Sequence, residues 1–149
     1  MARNSEVLKT INDLIETCRD GQDGYRDAAE HVTDSKLKQF FNEQSLQRAQ
    51  FAAELEQEAQ HLGEHDPDRS GSIAGALHRA WFDFKANLGG GERAILDSVE
   101  LGEDQAKKAY EDAINSNLPD SLLAIVRRQQ ASILAAHDRV RDLRESRAA

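Results

Sequence analysis

Cysteine and tryptophan each occur once and proline twice in 149 residues, and aromatic side chains make up only 5% of the chain. A lone cysteine excludes an intrachain disulfide framework. With so few aromatics and 31% charged residues, the composition suits long solvated helices rather than β-structure. No apolar run approaches the roughly 20 residues that span a bilayer, and the opening MARNSEVLKT has no signal-peptide core, so the expected compartment is the cytoplasm. Positive charge is in short supply too. Acidic side chains number 27 against 19 basic ones, a formal charge of -8, and such a surface repels phosphate backbones and anionic lipid. Neither a nucleic-acid nor a membrane partner is expected. The length fits one domain over residues 1–149.

The chain does have helical periodicity. From Ser5, residues Leu8, Ile11, Leu14, Ile15, Cys18, Tyr25, Ala28, Ala29 and Val32 fall on one stripe at ~100° per residue. Thr33, Asp34 and Ser35 carry an N-cap signal, and Leu37, Phe40, Phe41, Phe51, Ala52, Leu55, Ala59 and Leu62 form a second stripe that Gly63 closes. EHDPDRS at 64–70 breaks the pattern, and the following GSIAGALHRAWFDFKANLGGG predicts a shorter helix with Ile73, Leu77, Trp81, Phe84 and Leu88 inward. A third long helix is expected from about Glu92 to Asn115, and LPD at 118–120 precedes a fourth starting near Asp120 or Ser121. Tight turns join helices one to two and three to four. The long connection between two and three can travel the length of a bundle, leaving those helices parallel. The expected fold is all-α: a four-helix bundle with a helix 2 to helix 3 crossover containing an extra short helix. The alternative is an up-and-down bundle with WFDF packed across one end.

Polar residues lie on the inward stripe of every long helix. They are Cys18, Gln22 and Tyr25 on helix one, with Glu16 on the far side, then Gln44 and Arg48 on helix two and Glu103 beside Tyr110 on helix three. Helix four contributes Gln129, Gln130 and His137. Burying a charge is costly unless it is paired, so Arg48 and Glu103 are expected to meet in a polar layer completed by tyrosine and glutamine side chains. Cys18 precedes Tyr25 by seven residues, as Glu103 precedes Tyr110, so helices one and three repeat one pattern. Gly21, Gly24 and Gly102 each cost roughly 1 kcal/mol against alanine inside a helix. They imply either a close approach, with room for a large side chain or ligand, or an irregular turn.

The segments LIETCRDGQDGYRDAAE, RAQFAAEL, GSIAGALHRAWFDFK, ELGEDQAKKAY and AAHDRVRDLR resemble small bacterial ferritin-like four-helix-bundle proteins known only as a domain of unknown function. The resemblance implies a ferritin-like fold and a bacterial, cytoplasmic, stress-associated protein; it implies no reaction. Ferritin-like di-iron proteins hold two metals with a Glu from each of two helices and a Glu-x-x-His pair from each of the others. This chain departs from that scheme. Arg48 stands near the expected place on helix two with Phe51 three residues on, Gln130 and Ile133 occupy that spacing on helix four, and Cys18 or Gln22 faces inward on helix one. A guanidinium repels a divalent cation and competes for the remaining carboxylate.

The expected function is therefore a non-enzymatic bundle with a buried ionic layer of Arg48, Glu103, Gln44, Gln130, Tyr25, Tyr110, Cys18 and Gln22 in place of a di-iron centre. It would act through a protein partner or as a homo-oligomer, such as a dimer, with no cofactor. The alternative is an iron or manganese protein that binds one ion through Glu103 and His137, aided by Gln130. A third reading is a small-molecule pocket lined by Cys18, Gln22 and Tyr25 beside the glycines. Thiol chemistry at Cys18 would need access and a cation such as Arg48. Glu58-x-x-His61 spells half of the di-iron motif at the stripe's edge, and the cluster Glu64, His65, Asp66 and Asp68 reads as a solvated turn or a surface ion site. His78 reads as structural, and Phe82, which cannot face inward together with Trp81 and Phe84, as packed on a neighbour or exposed to a partner.

Overall fold

The computed structural model of the protein describes residues 2–63 and 91–147. They form four α-helices, α1 (Ala2–Glu30), α2 (Ser35–His61), α3 (Glu92–Ile114) and α4 (Asp120–Glu145), and no strand among the described residues. The short helix predicted after residue 70, with His78, Trp81, Phe82 and Phe84, lies outside the described residues, as does the 64–70 loop with its acidic and histidine cluster.

Local chemistry sets the helix boundaries. Asp34 Oδ1 accepts the backbone N–H groups of Lys36 at 2.9 Å and Leu37 at 3.1 Å, which caps α2. The Leu37 N–H foremost holds the Asp34 carboxyl below the usual range; burial, the next largest effect, opposes it, and the Lys36 N–H and the charge of Arg147 add to the lowering. Gly63, at φ +92°, turns the chain out of α2 through a conformation that other residues rarely adopt. Asn117, at φ +64°, does the same in the α3–α4 turn, and Pro119 then precedes α4. α1 runs unbroken through Gly21 and Gly24, and α3 through Gly102, so the irregular-turn reading of these glycines does not hold.

Within the bundle, α1 packs on α2 and α3, and α4 packs on α3 and more slightly on α2. That leaves α2 diagonal to α3 and α1 diagonal to α4. The apolar interior divides in two. One cluster gathers Leu14, Cys18, Phe51, Leu55, Tyr110 and Val126; the other gathers Tyr25, Leu37, Phe41, Ile95, Val99 and Val140. α1 and α4 pass from the first cluster to the second, whereas α2 and α3 pass from the second to the first, so every neighbouring pair is antiparallel. Arg147 closes the second end by reaching Asp34 at 3.3 Å and Glu92 at 3.5 Å.

Candidate functional site: a buried ionic layer

Between the two apolar clusters, the heptad ladders reach Gly21 on α1, Arg48 on α2 and Glu103 on α3. Arg48 Nη2 donates to Glu103 Oε2 at 2.6 Å, and the two side chains are 1% and 0% exposed. The bond crosses the bundle diagonal, between helices whose backbones make no close approach. The Tyr25 ring lies beneath the guanidinium, 5.3 Å from its carbon to the ring centroid, a cation–π contact that favours the charged form. Burial alone would favour a neutral Arg48, but the charge of Glu103, then Tyr25, outweighs it and raises the Arg48 pKa. Burial first, then the Glu103 charge, lifts the Tyr25 hydroxyl well above the usual phenol range. The guanidinium therefore stays charged inside the bundle.

Gly21 makes room for the guanidinium. A Cβ there would lie 3.0 Å from Arg48 Nη1 and 3.5 Å from its Cγ. The space beside Gly21 therefore holds an arginine, and the crossover expected to cover a small-molecule pocket there lies outside the described residues.

A second chain of bonds, which starts from neutral groups and ends on the Glu54 carboxylate, runs through all four helices. Cys18 Sγ stands 3.1 Å from the Tyr110 hydroxyl, which donates to Gln129 Oε1 at 2.7 Å. Gln129 Nε2 in turn donates to Glu54 Oε1 at 2.8 Å and reaches the Phe51 carbonyl at 3.4 Å. Glu54 is also paired with Arg128 across the α2–α4 seam. These acceptors fix the orientation of the Gln129 amide, so Tyr110 spends its one proton on Gln129 and must accept from the Cys18 thiol. Burial foremost pushes Cys18 up to about 11, against the lowering effects of Tyr110 and Arg48. Of the two conditions for thiol chemistry at Cys18, Arg48 supplies a nearby cation but the access is missing: the thiol is fully buried and serves as a hydrogen-bond donor. Tyr110 is likewise raised, by burial and then by Cys18.

The remaining predicted residues are arranged differently. Gln130 is half-buried and makes no side-chain hydrogen bond with the described residues, whereas Gln129, its neighbour ~100° round the helix, is fully inside. Gln22 and Gln44 are half-buried at the edge of the layer; the Gln22 carbonyl accepts from Ser45 Oγ at 2.8 Å, and Gln44 Oε1 has no partner among the described residues. Glu16, expected on the far side, is half-buried with one carboxylate oxygen shielded from solvent. His137 faces Asp104 (Nε2 to Oδ1, 2.6 Å) while Glu103 faces Arg48, so Glu103, His137 and Gln130 do not assemble as a ligand set. His61 pairs loosely with Glu58 at 3.6 Å on the surface. Among the described residues no three His, Cys, Asp or Glu side chains converge as a metal site. Sequence reasoning missed Glu54, which looks like any other acid on a solvated face. It could have preferred Gln129 to Gln130, because Leu122, Gln129 and Ala136 keep the seven-residue spacing.

These helices define a helical-bundle protein with a charged interior. The chain belongs to the family described as a domain of unknown function, DUF2383, whose profile matches residues 6–116 and so spans α1 to α3. No curated protein matches the chain. No helix among the described residues is long and apolar enough to cross a membrane.

Proposed function

We propose that the chain is a ferritin-like bundle in which an internal ion pair fills the place of a metal centre, and that it works through its surface, by protein partners or self-association, rather than by catalysis. One observation carries the reading: the 2.6 Å contact between Arg48 and Glu103, both removed from solvent. A carboxylate committed to a guanidinium is a poor ligand for a cation, and the same guanidinium repels one. A ferritin-like crossover is favoured by the helix directions, since α2 ends beside the first core cluster and α3 begins beside the second, at the opposite end. The points on the surface that would suit an apolar partner are Leu46 and Leu101, which are 62% and 58% exposed.

Metal analysis of protein purified without chelator tests the reading. No stoichiometric first-row metal is expected, and one iron or manganese per chain would overturn it. Glu103→Ala is expected to lower unfolding stability by about 3–5 kcal/mol, because it strands a buried guanidinium. If that variant keeps its stability but loses a bound metal, the alternative wins. Light scattering across a concentration series would report self-association.

A further inference from the structure

We propose that the Arg48–Glu103 pair is a register lock between the two helical hairpins, a role that rests on and deepens the reading of the layer as an internal ion pair. The buried positions repeat every seven residues: Ile11, Cys18 and Tyr25 on α1, Phe41, Arg48 and Leu55 on α2, and Leu96, Glu103 and Tyr110 on α3. A core with that period packs apolar against apolar again after a slip of one heptad, which is ~10 Å along the axis. Within each hairpin the turn forbids such a slip, because residues 31–34 join α1 to α2 and residues 115–119 join α3 to α4. Between the hairpins, thirty residues separate His61 from Glu92, so no short turn ties α2 to α3 as the other two turns tie their helices.

The ionic layer breaks this degeneracy. After a one-heptad slip Arg48 would face Leu96 or Tyr110, and Glu103 would face Phe41 or Leu55, so each charge would be buried without the other. Arg48 cannot follow its partner, because its Nη1 is seated against Gly21 of its own hairpin. The Cys18–Tyr110 and Gln129–Glu54 bonds also join the two hairpins, but Cys18, Tyr110 and Gln129 are neutral and the Glu54 carboxylate reaches solvent and keeps Arg128 beside it, so misplacing them is less costly than burying two charges apart. A single polar layer that selects a register is the best-attested use of such groups in periodic helical cores.

The test combines Arg48→Met with Glu103→Leu, so that the layer becomes apolar at similar volume. Spin labels are placed at the exposed Leu46 and Leu101, by Leu46→Cys and Leu101→Cys in a Cys18→Ser background, and the distance distribution is measured by pulsed electron resonance. With Arg48 and Glu103 present, one distance is expected. In the double variant a second population is expected, from hairpins offset by ~10 Å, together with a denaturation midpoint equal to or above that of the parent. A folded double variant with the single parental distance overturns the proposal. So does one that fails to fold, since the pair would then be needed for stability itself. The metal content of the parent protein reports separately on the reading beneath it.

Discussion

Gly21 decides how Arg48 can sit. Alanine there would gain up to about 1 kcal/mol of helix propensity, but its methyl would press on a guanidinium that Glu103 and Tyr25 hold from the other sides, and overpacking of that kind costs about 1–3 kcal/mol. Gly21→Ala should therefore lower stability by roughly 1 kcal/mol in a urea titration. Combined with Arg48→Met the same change should stabilise, because the flexible thioether can yield; equal effects in the two backgrounds would show that the contact is slack. Cys18 offers a second readout. Its thiol should be unreactive toward a disulfide reagent at pH 8 in the native protein and react fully in denaturant, as burial and the bond to Tyr110 require. Rapid native labelling would contradict the burial of the thiol.

Asp34 couples the start of α2 to the far end of the chain's path. Its carboxylate accepts two backbone N–H groups and pairs with Arg147, and its own N–H donates to Glu92 at 3.2 Å. A pKa depressed in the folded state means that the stabilisation is present above the unfolded value of about 3.9 and is lost as pH falls through the lower folded value. Thermal midpoints of the parent and Asp34→Ala should accordingly lie apart at pH 6 and converge below about pH 4. A constant gap down to pH 2 would mean that the cap does not depend on charge. The helices themselves were the most legible feature, because apolar spacing persists through each and the cap, the glycine stop and the proline start punctuate them. The inward direction of Arg48, Glu103 and Tyr110 was legible for the same reason. Which of two adjacent glutamines points inward was harder to read, since one step round the helix separates a core position from a flank. Glu54 was not legible at all, because its part depends on where α4 meets α2, a fact of packing that no local pattern encodes.

Taken whole, the bundle is unevenly bound. α1 lies firmly along α2, whereas α4 meets α2 through few contacts, with Arg128 and Gln129 both gathered on Glu54. Glu54→Ala should therefore raise amide exchange along α4 more than along α1, with a total loss near 1 kcal/mol, because the Gln129 amide keeps only its longer contact with the Phe51 carbonyl. Uniform acceleration across all four helices would show that the seam does not open by itself.

The clasp at the other end sets an order of events during synthesis. Asp34 can cap α2 as soon as Leu37 has been made, but its second partner, Arg147, lies 113 positions downstream. While the ribosome is still reading that interval, the α1–α2 hairpin has its cap and no bolt. Its buried face and the unpaired guanidinium of Arg48 must wait for the second hairpin to arrive.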